Sequence, residues 1–156
     1  IYYGISSTVR VKPEGTLAGS GTICGAVQVQ GGGLAPGNGG FGTLTLEGPL
    51  AFTNDSSYVW EMRDPLHYDT VAANGGLTFF DTAVLDVRDI SGTAFSSVDQ
   101  ADFPLFTFTG AAPSNPDWDI RYSGAGRWSP QSVRIEGNQV LLSMRRVPYG
   151  SVILVR

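Results

Sequence analysis

The run Gly15–Leu50 reads GTLAGSGTICGAVQVQGGGLAPGNGGFGTLTLEGPL and carries a single charged side chain, Glu47. Short apolar segments alternate with glycine-rich corners. An α-helix tolerates neither this glycine frequency nor an apolar period of two. Strands only three or four residues long remain, and alone they bury too little to be stable. They gain a core by stacking on further strands of the same kind. The pattern therefore predicts an all-β coil whose inward side chains pack against the turns above and below. Leu44, Leu46, Leu50 and Phe52 are expected inside, with Thr43, Thr45 and Glu47 outside.

Composition fits this reading. The 156 residues suffice for one domain, residues 1–156, and include 21 glycines and 9 prolines. The hydrophobic share of 42% is too high for a disordered linker. No glycine period of three suggests collagen. The motif Gly15-Thr16-Leu17 returns 27 residues later as Gly42-Thr43-Leu44, and Gly76-Leu77-Thr78 echoes it. This self-similarity predicts successive coils.

Further strands are expected at Val9–Val11, Thr16–Leu17, Thr22–Ile23, Ala26–Val29, Leu77–Phe80, Ala83–Val87 and Pro104–Thr109. Gly31–Gly33 and Pro36–Gly40 are expected as turns. Tyr58, Trp60 and Met62 alternate with Val59, Glu61 and Arg63, so this strand carries bulk on both faces. Residues 65–69 are read as a loop, 91–102 as a longer polar loop and 111–119 as a turn segment. Val133–Ile135 and Val140–Met144 flank Glu136-Gly137-Asn138-Gln139, a hairpin signal. Ser151–Val155 reads as a last strand. Residues 125–156 are expected to cap the coil, because an open end exposes pairing groups. Cys24 excludes an internal disulfide and is expected to be a small buried side chain.

Net charge is −4, which argues against a nucleic-acid binder needing a basic face. Residues 1–119 hold four basic and thirteen acidic side chains, and residues 120–156 hold six basic and one acidic. The resulting −9 and +5 suggest attraction between copies, head to tail. No apolar run of about eighteen residues suggests a membrane-spanning helix. The first residue is Ile1, which suggests a processed or trimmed chain.

The densest polar group is Glu61, Arg63, Asp64, His67 and Asp69. Glycoside hydrolysis needs two carboxyls about 5–9.5 Å apart, which Asp64 and Asp69 reach only if their loop folds back. His67 is a base in principle. A simpler reading has Asp64 capping the turn at Pro65, Asp69 accepting backbone N–H groups and Glu61 pairing with Arg63. Asp81, Asp86, Asp89, Asp99 and Asp102 form a second acidic set, yet no calcium-loop signature accompanies them. The glycine runs lack the lysine and helix of a phosphate loop. Asn54-Asp55-Ser56 matches a glycan acceptor formally. Tyr2, Tyr3, Trp118, Tyr122, Trp128 and Tyr149 are candidate interface anchors or cap packing, and Arg145-Arg146 a candidate contact to a partner's carboxylates. No residue is assigned a catalytic, cofactor-binding or metal-ligating role.

The segments 15–29, 31–38, 42–50, SYVWEM (57–62), YDTVAANGGLTF (68–79), FPLFTFTG (103–110) and GNQVLL (137–142) carry a likeness. The chain resembles the autotransporter-associated β-strand repeat proteins of bacterial surfaces. It departs from them at Gly39-Gly40, where the family pattern usually has a serine, and over 143–156, which holds Arg145-Arg146 and no sorting tail. The resemblance implies a right-handed parallel β-helix, here with a C-terminal β-hairpin cap. It also implies an extracellular or cell-surface location and a passenger, adhesin or shaft role without catalysis. The expected function is a non-enzymatic, self-assembling structural or surface protein; the alternative is a carbohydrate-active enzyme or glycan-binding module. Expected partners are further copies, through coil ends and terminal strands, and a surface glycan. No cofactor is expected.

Overall fold

The computed structural model describes residues 7–90, 100–124 and 128–147. The chain winds as a right-handed parallel β-helix with three faces. The first coil comprises β1 (Val9–Val11), β2 (Thr16–Gly19) and β3 (Gly21–Ile23). The second comprises β4 (Val27–Val29), β5 (Gly33–Pro36) and β6 (Thr43–Leu46). In the third, β7 (Leu50–Phe52) and β8 (Ser57–Asp64) precede a short β9 (His67–Tyr68) and then β10 (Thr70–Ala73). The fourth has β11 (Leu77–Phe79), β12 (Thr82–Asp89) and β13 (Gln100–Phe108). A last parallel strand, β14 (Asp117–Gly124), leads to β15 (Trp128–Glu136) and β16 (Gln139–Arg146). No described residue is helical.

Face A stacks β1-β4-β7-β11, face B stacks β2-β5-β8-β12-β14, and face C stacks β3-β6-β10-β13. β16 pairs antiparallel with β13, and β15 with β16. This hairpin ends the parallel stack on face C. Its expected position is met, with Gly137-Asn138 between the strands. Ser151–Val155 lies outside the described residues.

Parallel register piles like on like. Val11, Val29, Phe52 and Phe79 form one column, and Leu17, Leu34, Tyr58, Leu85 and Ile120 another. The core broadens along the axis from valines to rings. Phe52 lies 5.5 Å from Phe79 and 5.8 Å from Phe106 between centroids, and Trp60 lies 5.3 Å from Phe103. Trp60, Tyr58, Phe52 and Phe106 have no exposed surface. Each such burial stabilises by about 1.5–3 kcal/mol before entropy is counted. Leu44, Leu46, Leu50 and Phe52 are inside as the alternation requires.

Several expectations of the strand map need correction. The echoed glycine triplets are not stacked on one another: Leu17 lies on face B, Leu44 on face C and Leu77 on face A. The shared triplet marks an entry into a strand, whichever face that strand joins. The expected turns Gly31–Gly33 and Pro36–Gly40 overlap a strand at Gly33 and Pro36, because Gly33–Pro36 pairs with β2 on one side and β8 on the other. Within 111–119, strand structure begins at Asp117, in register with Thr82; within 65–69 it includes β9, paired with β8, and within 91–102 it includes Gln100, paired with Arg145.

Candidate functional site

Corners differ in size. The linkers from face A to face B are 12–15, 30–32, 53–56 and 80–81, and those from C to A are 24–26, 47–49 and 74–76. The linkers from B to C grow. Ser20 alone joins β2 to β3, residues 37–42 join β5 to β6, and in the third coil β8 doubles back on β9. Face B widens in step, from four residues in β2 and β5 to eight in β8, β12 and β14. In a solenoid such insertions gather on one side, which is often the side that binds.

The five polar residues expected to cluster do gather at this corner, in two separate groups. Outside, Asp64 accepts a bond from the Leu66 amide at 2.9 Å and lies 2.7 Å from His67 Nδ1. The turn-capping role is met. Some desolvation raises the Asp64 carboxyl, but the Leu66 amide, His67 and Arg63 outweigh it and hold it below its ordinary value. Arg63 approaches Asp64 at 3.6 Å and places its guanidinium 4.9 Å from the centre of the Phe41 ring, within cation–π range. His67 meets the Phe41 ring at a tilt, 5.2 Å between centroids. Arg63 therefore does not pair with Glu61, against expectation, since its side chain is drawn to Asp64 and the ring.

Inside, Asp69 has no exposed surface. Its Oδ1 accepts the Gly42 amide at 2.7 Å and its Oδ2 the Glu61 amide at 2.9 Å. Its carbonyl accepts the Trp60 indole N–H at 2.8 Å. Burial outweighs both amide donors and, with the nearby Glu61 carboxylate, raises the Asp69 carboxyl to about 7. Glu61 and Asp69 line one cleft of about 130 Å³, walled by Gly37–Gly40 and Arg88. Two carboxyls thus face one space, but Asp69 is sealed and both of its oxygens are engaged. It clips the second-coil loop to β8. Asp64 and His67 are not among the residues lining that cleft.

The second acidic set is dispersed. Asp81 sits at an exposed corner, where its amide donates to Asn54 Oδ1. Asp89 is buried and accepts the Tyr122 hydroxyl at 2.9 Å, which, after burial, is the second cause raising that phenol. Asp102 binds Arg134 at 2.8 Å. Asp99 lies outside the described residues. Among the described residues no group of three His, Cys, Asp or Glu side chains is placed to hold a metal ion. Asn54 of the acceptor triplet spends its side-chain oxygen on the Asp81 and Thr82 amides.

Cys24 is exposed rather than buried, because it falls on a corner. Trp118 and Trp128 pack on the core at 5.3 Å from Phe79 and 6.1 Å from Phe103. Tyr2, Tyr3 and Tyr149 lie outside the described residues. The opposite-charge split does not map to opposite ends: the first coil carries Arg10 and Lys12, while Arg121 and Arg134 are paired with carboxylates beside them.

One arrangement was missed. Glu61-Met62-Arg63, Asp86-Val87-Arg88 and Asp119-Ile120-Arg121 lie on three successive face-B strands. Register sets Arg88 against Glu61 and Arg121 against Asp86. Each pair is thus shifted by two residues from the one before, making a diagonal of alternating charge. The acid-x-Arg spelling, at intervals of 25 and 33 residues, was the available signal. No protein-family model matches the chain, and no curated protein matches it significantly.

Proposed function

We propose that this chain is a non-enzymatic structural module of an extracellular or bacterial cell-surface protein, a rigid β-helix that displays its widened face B. The observation that carries this reading is the use of the polar groups at the growing corner. Asp69 fastens one coil to the next, and Asp64 caps a turn and holds His67 and Arg63. These bonds serve rigidity and shape. The likeness to autotransporter-associated β-strand repeat proteins points the same way, and no helix among the described residues is long and apolar enough to cross a membrane. Self-association belongs to this reading through the edge strands of the first coil, since charge at the two ends gives it no support.

Intact host cells carrying the full-length protein, probed with an antibody against this domain, test the location. Labelling without permeabilisation is expected; labelling only after permeabilisation overturns it. Light scattering at micromolar protein tests self-association, and a strict monomer removes that part.

A second reading, a carbohydrate-active enzyme, is favoured by Glu61 and Asp69 lining one cleft. Release of reducing ends from a polysaccharide, lost in Glu61→Gln, would replace the structural reading with it.

A further inference from the structure

We propose that the outer surface of face B binds a neutral polysaccharide chain along the acid-x-Arg diagonal, with Asp86, Arg88, Asp119 and Arg121 as its central contacts. This rests on the surface-module reading and names the ligand of its displayed face.

Each central pair has the same construction. Arg88 directs Nε (3.0 Å) and Nη2 (2.9 Å) at one oxygen, Oδ2, of Asp86. Arg121 does the same to Asp119 Oδ2, at 3.0 and 2.7 Å. The other carboxylate oxygen and Nη1 of each pair make no bond to a described residue. A donor and an acceptor are thereby held side by side, facing out from a rigid sheet. Vicinal sugar hydroxyls, each both donor and acceptor, need such a pair. The arginine side chains are 48% and 64% exposed, so a ligand reaches them without rearrangement.

Stability does not account for the pattern, since exposed ion pairs contribute little. Protection of a sheet edge explains charge on β14, which is an edge strand, but not on β8 and β12, which are flanked on both sides.

Charge and repetition choose the ligand. Three arginines and three carboxylates of the diagonal cancel, and Asp55 and Asp117 beside it add negative charge, which disfavours a polyanion. Strand spacing of about 4.8 Å with a two-residue offset repeats the pair about every 8 Å, which suits a chain rather than a single sugar. Hollows lie at both ends. The 130 Å³ cleft includes Glu61 and Arg88. Glu61 accepts no side-chain hydrogen bond from a described residue. The other hollow, of about 330 Å³, is lined by Asp55, Asp117, Asp119 and Arg121 among its polar residues.

Affinity electrophoresis tests the inference. The domain is run through gels containing soluble xylan, laminarin, glucomannan or dextran, and through gels containing alginate. Wild type should be retarded by at least one neutral polymer. Arg88→Met should weaken that binding about fivefold and Arg88→Met/Arg121→Met at least about twentyfold, with thermal unfolding unchanged. Raising salt from about 50 to about 500 mM should leave the affinity within about twofold, because the ligand is uncharged. Lack of retardation by every neutral polymer overturns the inference. So does undiminished binding by the double variant, or salt-sensitive binding to alginate alone. Surface labelling is read separately, so a domain found on the cell surface that binds no glycan overturns this inference and leaves the structural reading standing.

Discussion

Where face C turns into face A, Gly25, Gly48 and Gly75 lie one above another. A β-carbon on Gly48 would stand 2.5 Å from the backbone of Gly25, and one on Gly75 would stand 2.3 Å from that of Gly48. Main chain touches main chain there, and each linker is three residues long. Where face B turns into face C, a single serine becomes a six-residue loop and then a hairpin. Gly39 and Gly40 have open space where a side chain would go. The seam of bare backbone fixes how closely the coils approach. The opposite corner is released from that constraint and gathers the polar and aromatic groups. A solenoid therefore needs one stitched corner to be free to vary another.

The largest effect should come from the seam. Gly48→Val places side-chain atoms inside the Gly25 backbone, and neither partner can move without separating two coils. Loss of cooperative thermal unfolding is expected in circular dichroism. A well-folded Gly48→Val would break the comparison.

Next is the widened rung. Trp60→Ala removes a fully buried ring and the donor to the Asp69 carbonyl. A loss of about 3–5 kcal/mol is expected, read from urea denaturation.

Proton binding sharpens the comparison further, because the glycine column has no titratable side chain and the clip at the other corner does. The Asp69 carboxyl is raised from 3.8 to about 7 in the folded chain. Between those values the folded state holds a proton that the unfolded state releases, so stability falls as pH rises from about 4 to about 7. The urea midpoint should decline over that range, and Asp69→Asn should flatten the decline. An unaltered slope in the variant would remove Asp69 as its source.

The smallest effects belong to the open loop. Four Gly/Ser residues inserted between Gly39 and Gly40 should cost about 1 kcal/mol or less. Gly40→Ala should stay within about 0.5 kcal/mol. The same insertion after Gly48 should abolish folding.

Much of the fold was legible because two-residue alternation is a local property. Leu44 and Leu46, or Tyr58, Trp60 and Met62, declare their faces without reference to anything distant. Stacking was not legible in the same way. Which triplet sits above which depends on the lengths of all the corners between, and so the Gly-Thr-Leu echo joined segments on different faces. The first three residues of β14, Asp117-Trp118-Asp119, follow the proline-rich stretch of 111–119 and so read as part of a turn, and only the neighbouring β12 reveals which side is inward.

The site was harder still. Asp69 was expected to accept backbone N–H groups, and it does, but one of its donors is 27 residues away on the previous coil. The acid-x-Arg pairs were present as words, but their diagonal appears only once register is known. Arg63 was given to Glu61 because the two are sequence neighbours, while the ring that draws it, Phe41, belongs to another coil.

The reversed hairpin on face C has a consequence for longer proteins. β16 runs opposite to β13 and β15 runs opposite to β16, so the outermost strand of face C again points the same way as the parallel strands. A following copy of the same unit, made by gene duplication, would therefore meet an edge whose chain direction suits one continuous rod.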